Sequence, residues 1–397
     1  MVYWRKTMDE VKTMQTHALY YEDGYRSRFT ATVLSCGERE NGWAVTLDAT
    51  AFYPEGGGQA GDTGTLGTAR VLDTREEGET VVHLCDGALT VGETVEGVID
   101  FERRFDLMQQ HTGEHMLSGL IHSRYGYHNK GYHVGADFVT VDFDGVIPQE
   151  DIPSLEEALN EGIWRNVPVK CWVPSPEELP DVTYRTKRAL PWPVRIVEVT
   201  GFDSCACCGI HVASTGAVGV IKILNSMGFR GGSRLEMVSG RRAWQVLNDG
   251  FEQNRRVSQA FSVPMTQTGE GAGKMNETLS QLKYRIQQLQ RERMAEVAEG
   301  YAGKGDVLHF ARDLDPVLVR ELADAIAQIC GGIAAVFSGS DADGYNCCLV
   351  TRSGDLRPLG KAMNAALNGR GGGKPICHQG RVAATREEIE GFFGERF

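Results

Sequence analysis

Two histidines, His111 and His115, stand four residues apart in HTGEHMLSG. A helix over this stretch directs both imidazoles from one face. Far along the chain, Cys207 and His211 repeat the separation inside CCGIH. One thiolate and three imidazoles make a donor set that suits tetrahedral zinc better than other abundant metals. Spacing alone leaves other chemistries open. A zinc protease of the His-Glu-x-x-His kind needs a glutamate directly after its first histidine. Thr112 takes that place here, and Glu114 comes later. A structural zinc, closed by four protein ligands, is the second alternative. The run Cys205-Ala-Cys-Cys equally suits thiols packed in a core.

These residues need elements to hold them. FERRFDLMQQHTGEHMLSGLIHSRYG carries apolar residues at helical spacing and predicts a buried helix from about Phe101 to near Gly126. A strand over VTVDFDG, a helix over IPSLEEALNEGIWRN and a strand–loop–strand unit around CCGIH complete an α+β domain over 101–245. Before it, residues 1–100 show short alternating stretches such as FTATVLSC and TVVHLCDG between turn clusters. That rhythm predicts a small antiparallel β-barrel. The segment TAFYPEGGGQAGDTG, Thr50–Gly64, reads as a hairpin or wide loop whose glycines supply positive φ. Residues 246–300 predict a helical connector or short coiled coil, with Leu279, Leu282, Ile286 and Leu289 as its apolar stripe and Gln267–Gly273 as an interrupting loop. Alternating strands and helices over 301–397 predict a small α/β domain with a glycine-rich loop near its end. The fold expected is a multidomain α+β protein.

Composition narrows the setting. The 397 residues carry a net charge of −12, against indiscriminate nucleic-acid binding, although a local basic surface can still face phosphates. No apolar run approaches a membrane span, and the charged N-terminus is unlike a signal peptide, so a cytoplasmic protein without membrane contact is expected. With no export signal, the ten cysteines read as reduced thiols. Cys36, Cys85, Cys171, Cys330, Cys347, Cys348 and Cys377 are expected in cores.

HTGEHMLSG and CCGIHV resemble the first and second zinc motifs of alanyl-tRNA synthetase editing domains. TAFYPEGGGQAGDTG is similar to that family's glycine loop, and SRLEMVSG, Ser233–Gly240, to the strand closing the domain. The C-terminal region with NGRGGGKP resembles the DHHA1 domain. The resemblance runs through nearly the whole chain in order, beginning at the barrel. It therefore points to a long-form free-standing editing protein of the AlaX type rather than a synthetase. Cys208 and Ile210 depart from the usual glycine and threonine of the second motif, while both ligand positions are kept.

The resemblance implies zinc on His111, His115, Cys207 and His211. It also implies hydrolysis of seryl or glycyl esters on mischarged tRNA(Ala), a partner that composition does not suggest. Near-isosteric amino acids defeat a single binding pocket, which is why a second, hydrolytic site is needed. Zinc can activate water directly, given an exchangeable position, or organise the pocket while water is activated elsewhere. Thr50 and Gln59 carry over as pocket residues, for a seryl hydroxyl and for the ester carbonyl or terminal ribose. Glu114 is a candidate general base. Gly56, Gly57 and Gly58 allow close approach of the tRNA end. Arg230, Arg234, Arg241 and Arg242 form one basic cluster for tRNA, and Arg370, Lys374 and Arg381 another. GRGGGKP lacks the Ser/Thr of a nucleotide P-loop, so no ATP use is implied. The amphipathic connector suits either a homodimer through it and the last domain or packing within its own chain. The alternative is a non-catalytic tRNA-binding protein with structural zinc.

Overall fold

The computed structural model describes residues 16–186 and 190–397. The first fifteen residues, read above as unlike a signal peptide, lie outside the described residues. The chain is a mixed α+β protein that divides into two compact units, one up to Asn254 and one from Arg255.

In the first unit, six strands pair in a closed ring: Arg28–Arg39, Gly42–Leu47, Thr80–Cys85, Ala69–Glu77, Gly64–Leu66 and Thr94–Ile99, the last returning to the first. Alternation along Arg28–Arg39 turns Phe29, Ala31 and Val33 inward, where they meet Val45, Leu47, Phe52, Leu66 and Val71. The ring opens directly into a helix, Phe101–Tyr125. Asp100 caps its start by accepting from the Arg103 amide, and Gly126, at φ 73°, ends it in the left-handed conformation. Leu107, Met108, Met116, Leu117 and Ile121 bury this helix in the main core, so its polar residues are carried inside as well.

Two sheets embrace that helix. One is antiparallel in the order Ile221–Phe229, Gly232–Ser239, Val139–Phe143, Asn129–Val134. The other joins Val169–Trp172, Ile196–Val199 and Asp203–Ala206. Close packing explains Gly119, where an added Cβ would lie 2.2 Å from the Phe202 carbonyl oxygen.

A buried ion pair fastens the helix to the barrel loop. Arg104 is fully buried, bonds Asp62 through Nε at 3.0 Å and donates to the Arg26 carbonyl at 3.1 Å. Asp62 in turn accepts from the Tyr53 amide at 2.6 Å, fixing the chain just before the glycine turn.

The second unit holds a five-stranded sheet, Gly305–Ala311, Gly331–Ser340, Gly344–Thr351, Cys377–Val382 and Gly369–Lys374, with only the first pair parallel. Helix Pro316–Ile329 packs with one apolar cluster, and helices Arg357–Ala366 and Arg386–Gly394 with the other.

Two expectations need correction. The interruption of the connector falls at Ser262–Gln267, not over Gln267–Gly273, because helix Thr268–Glu299 already includes those glycines. Ser262, at φ 54°, and Pro264 make the break, and Gly271 packs closely on Phe261 and Val263. Cys171 is exposed rather than in a core; all ten cysteines are free. The stripe Leu279, Leu282, Ile286 and Leu289 is also exposed, Leu282 by 54% and Ile286 by 55%.

Candidate metal centre

His111, His115, Cys207 and His211 converge, their ligand atoms all within 4.8 Å of one another. The helix brings the first two on one face, one turn apart, and the loop after strand Asp203–Ala206 brings the others. Cys207 Sγ lies 3.5 Å from His111 Nε2 and 3.6 Å from His211 Nε2. The S···N edge of a tetrahedral zinc site is about 3.6 Å, so this spacing fits the ion.

The outer hydrogen bonds agree with that orientation. His111 Nδ1 donates to Gln59 Oε1 at 2.9 Å, and His115 Nδ1 to Asp203 Oδ2 at 3.0 Å. His211 Nδ1 faces the Thr112 hydroxyl at 3.1 Å, which also accepts from the Val212 amide. Each histidine thus has its Nδ1 occupied by a supporting group, leaving Nε2 for a metal. Thr112, which replaces a protease's glutamate, is one of these supports.

Electrostatics follows from crowding. Burial opposes ionisation of Cys207, yet His111, His115 and His211 hold its thiol well below the usual range. Burial and the charge of His111 push His211 down to about 3. His115 is held well above its ordinary value against burial, by Asp203 and Cys207. A cation would take over the role those protons play in balancing the thiolate.

The glycine loop reaches the same place. Gly56 and Gln59 exchange backbone hydrogen bonds of 3.0 and 2.9 Å around Gly57 and Gly58, whose φ values are 60° and 84°. Two successive positive-φ residues are what a type I′ turn requires. An added Cβ on Gly57 would lie 3.3 Å from Cys208 Sγ. The turn delivers Gln59, fully buried, with its Oε1 on His111 and its Nε2 without a partner among the described residues.

Other expected residues are placed differently. Thr50 is fully buried and engaged: its hydroxyl lies 2.8 Å from His83 Nε2 and accepts from the Phe52 amide. His83 Nδ1 donates to the Val45 carbonyl, so Nε2 accepts the Thr50 proton. Glu114 does not face solvent. It is buried and accepts from Ser118 and from Asn129 at 2.6 Å, anchoring strand Asn129–Val134 rather than joining the four ligands. One residue along a helix is about 100° around it, which separates Glu114 from His115.

The first basic cluster is largely neutralised by neighbours. Arg234 is bidentate to Asp142 and stacks on Phe229, Arg242 grips Asp106, and Arg241 pairs with Glu102. Arg230, at a hairpin tip, is exposed over the Phe229 ring. In the second unit Arg370 and Arg381 are directly opposed on neighbouring strands, with Lys374 further along the first.

Sequence reasoning missed Asp203, Arg185, Arg195 and Tyr132. Arg195 donates to the carbonyls of Cys207 and Gly209 at 2.9 and 2.7 Å, and so holds the ligand loop. Only Asp203 carried a signal, being an acidic residue beside the cysteine run.

Residues 6–103 match the family described as tRNA synthetases class II (A). Residues 194–239 match the threonyl and alanyl tRNA synthetase second additional domain. Alanyl-tRNA editing protein Aarsd1 of Danio rerio is 28% identical, covering 94% of this chain and 96% of that protein. Its Mus musculus counterpart is 26% identical over 94% and 95%. An alanine–tRNA ligase of Thermofilum pendens is 30% identical over 94% of this chain but only 43% of the ligase. Across nearly its whole length, the chain is thus similar to alanyl-tRNA editing proteins, and over part of their length to alanine–tRNA ligases.

Proposed function

We propose that this chain is an aminoacyl-tRNA deacylase that removes serine or glycine from mischarged tRNA(Ala) in trans, with zinc on His111, His115, Cys207 and His211. The observation that carries this reading is Gln59, which spends Oε1 on His111 and keeps a buried amide N–H that is unpaired among the described residues. A buried donor without an acceptor is costly. It is well placed to receive a substrate carbonyl oxygen, which gains negative charge as water attacks an ester.

Bound zinc supplies Lewis-acid polarisation and fixes the pocket walls. The protein groups do the rest. Gln59 orients the ester, and Arg195 and Thr112 hold the loop that carries two ligands. Thr50 has its proton on His83 and one lone pair on the Phe52 amide, so it retains a single acceptor site. A seryl hydroxyl can donate to that site and a glycyl group cannot.

The tRNA contacts in this reading are the turn Gly56–Gly58, with Gly57 and Gly58 exposed, Arg230, and the Arg370, Lys374 and Arg381 group. Homodimerisation through the stripe of helix Thr268–Glu299 belongs to the same proposal. No helix among the described residues is long and apolar enough to cross a membrane.

The test is hydrolysis of Ser-, Gly- and Ala-tRNA(Ala) by the zinc-loaded chain, by a chelated sample and by Cys207→Ala. Loss of the seryl or glycyl ester alone, abolished in both controls, supports metal-dependent editing. Intact esters with folded, zinc-loaded protein overturn it in favour of a binding protein with structural zinc.

A further inference from the structure

Tyr132 lies on the strand that Glu114 anchors, and its ring stacks on His111 at 5.1 Å between centroids and 20° between planes. The glycine turn closes on the same ring: a Cβ added to Gly58 would lie 2.6 Å from Tyr132 Cδ1. The phenol oxygen is buried and has no hydrogen-bond partner among the described residues. His111 is therefore flanked by two orphaned polar groups, Tyr132 on its ring face and Gln59 at its Nδ1.

An unpaired buried hydroxyl is destabilising, a cost that a phenylalanine at the same place would avoid. Sites that break a local rule in this way are commonly functional. A phenol, whose ordinary value is about 10, keeps its proton at neutral pH and acts as a donor.

We propose that Tyr132 is a catalytic residue whose hydroxyl donates a hydrogen bond to the carbonyl oxygen of the scissile ester, completing with Gln59 Nε2 a two-donor oxyanion site. The inference rests on the deacylase reading above. Water adds to the carbonyl carbon, the bond from that carbon to the terminal ribose oxygen breaks, and a proton from the water passes to the ribose oxygen. Tyr132 keeps its own proton throughout, bonding more strongly as charge builds on the carbonyl oxygen. Nothing in this step calls on Glu114.

The experiment compares wild type and Tyr132→Phe, full-length and zinc-loaded, on Ser-tRNA(Ala). Three readouts accompany the rate: zinc content, thermal midpoint, and affinity for a seryl-adenosine analogue with an amide in place of the ester. A lost oxyanion donor lowers kcat on the order of 10²-fold. KM, zinc content and analogue affinity stay within about two-fold, while the midpoint holds or rises because the orphaned hydroxyl is gone. A purely structural tyrosine would not separate kcat from those quantities. Wild-type turnover matched by Tyr132→Phe overturns the role of Tyr132 and leaves the deacylase reading standing. An inactive wild type overturns both. Parallel losses of kcat, zinc and midpoint also overturn the donor role, by showing that the ring only supports His111.

Discussion

Asp203 joins His115 to Arg185: its Oδ2 lies 3.0 Å from His115 Nδ1, and Arg185 spans both carboxylate oxygens at 2.6 and 2.7 Å. Its carboxyl is held below the usual range despite burial, by His115 and Arg185. A carboxylate behind a ligand histidine fixes the tautomer and raises the basicity of the nitrogen facing the metal. Asp203→Asn should weaken zinc binding about 10–100-fold. Competition against a chromogenic chelator measures this; unchanged affinity would reduce Asp203 to a partner of Arg185.

Thr50 offers a sharper test of substrate choice. Its one remaining acceptor site predicts that Thr50→Val lowers seryl-tRNA hydrolysis about ten-fold more than glycyl-tRNA hydrolysis. Valine also strands His83 Nε2, so both rates and stability will fall somewhat. The ratio of the two rates is the informative quantity, and an equal loss removes Thr50 from selectivity.

Gly58 and Gly92 separate backbone strain from contact. Their φ values are 84° and 85°, but only Gly58 has a ring against it, with nothing within 4 Å of a Cβ on Gly92. Alanine at either position should cost on the order of 1–2 kcal/mol through its left-handed conformation. Only Gly58→Ala should also cut hydrolysis, by about ten-fold or more, since it shifts the turn that delivers Gln59. Urea denaturation and single-turnover assays on both variants decide it. Equal activities would show that the turn's position against Tyr132 is unimportant.

His83 sets an acid limit on the barrel. Burial pushes it down to about 4 from an ordinary 6.5. The unfolded chain then binds the proton first, so stability is full above about 6.5 and falls as pH drops from there to about 4. The loss amounts to roughly 3 kcal/mol across that window. His83→Gln removes the titrating group, so its unfolding free energy should decline less steeply between pH 7.5 and 4.5. An acid slope equal to that of wild type would place the sensitivity elsewhere.

The legible parts of this protein were those written in local spacing. Helix Phe101–Tyr125 carries its own start at Asp100 and stop at Gly126, and its four-residue repeat puts His111 and His115 on one face. The glycine turn was legible because only glycine accepts two successive positive φ values easily. The break before helix Thr268–Glu299 was misplaced by weighing its glycines above Pro264, although isolated glycines only weaken a helix.

By itself, then, the sequence determined the four residue types of the candidate metal cluster and the local elements that carry them, because donor chemistry and helical period are short-range properties. Tertiary structure alone decided what stands behind and beside those ligands. Gln59 on His111 is a contact across 52 residues, and Asp203 on His115 one across 88. Neither has a period or motif, since each depends on how barrel, helix and sheet pack. The same packing turned Glu114 away to Asn129, committed Arg234 and Arg242 to carboxylates, and stacked on His111 the ring of Tyr132, whose hydroxyl has no partner among the described residues.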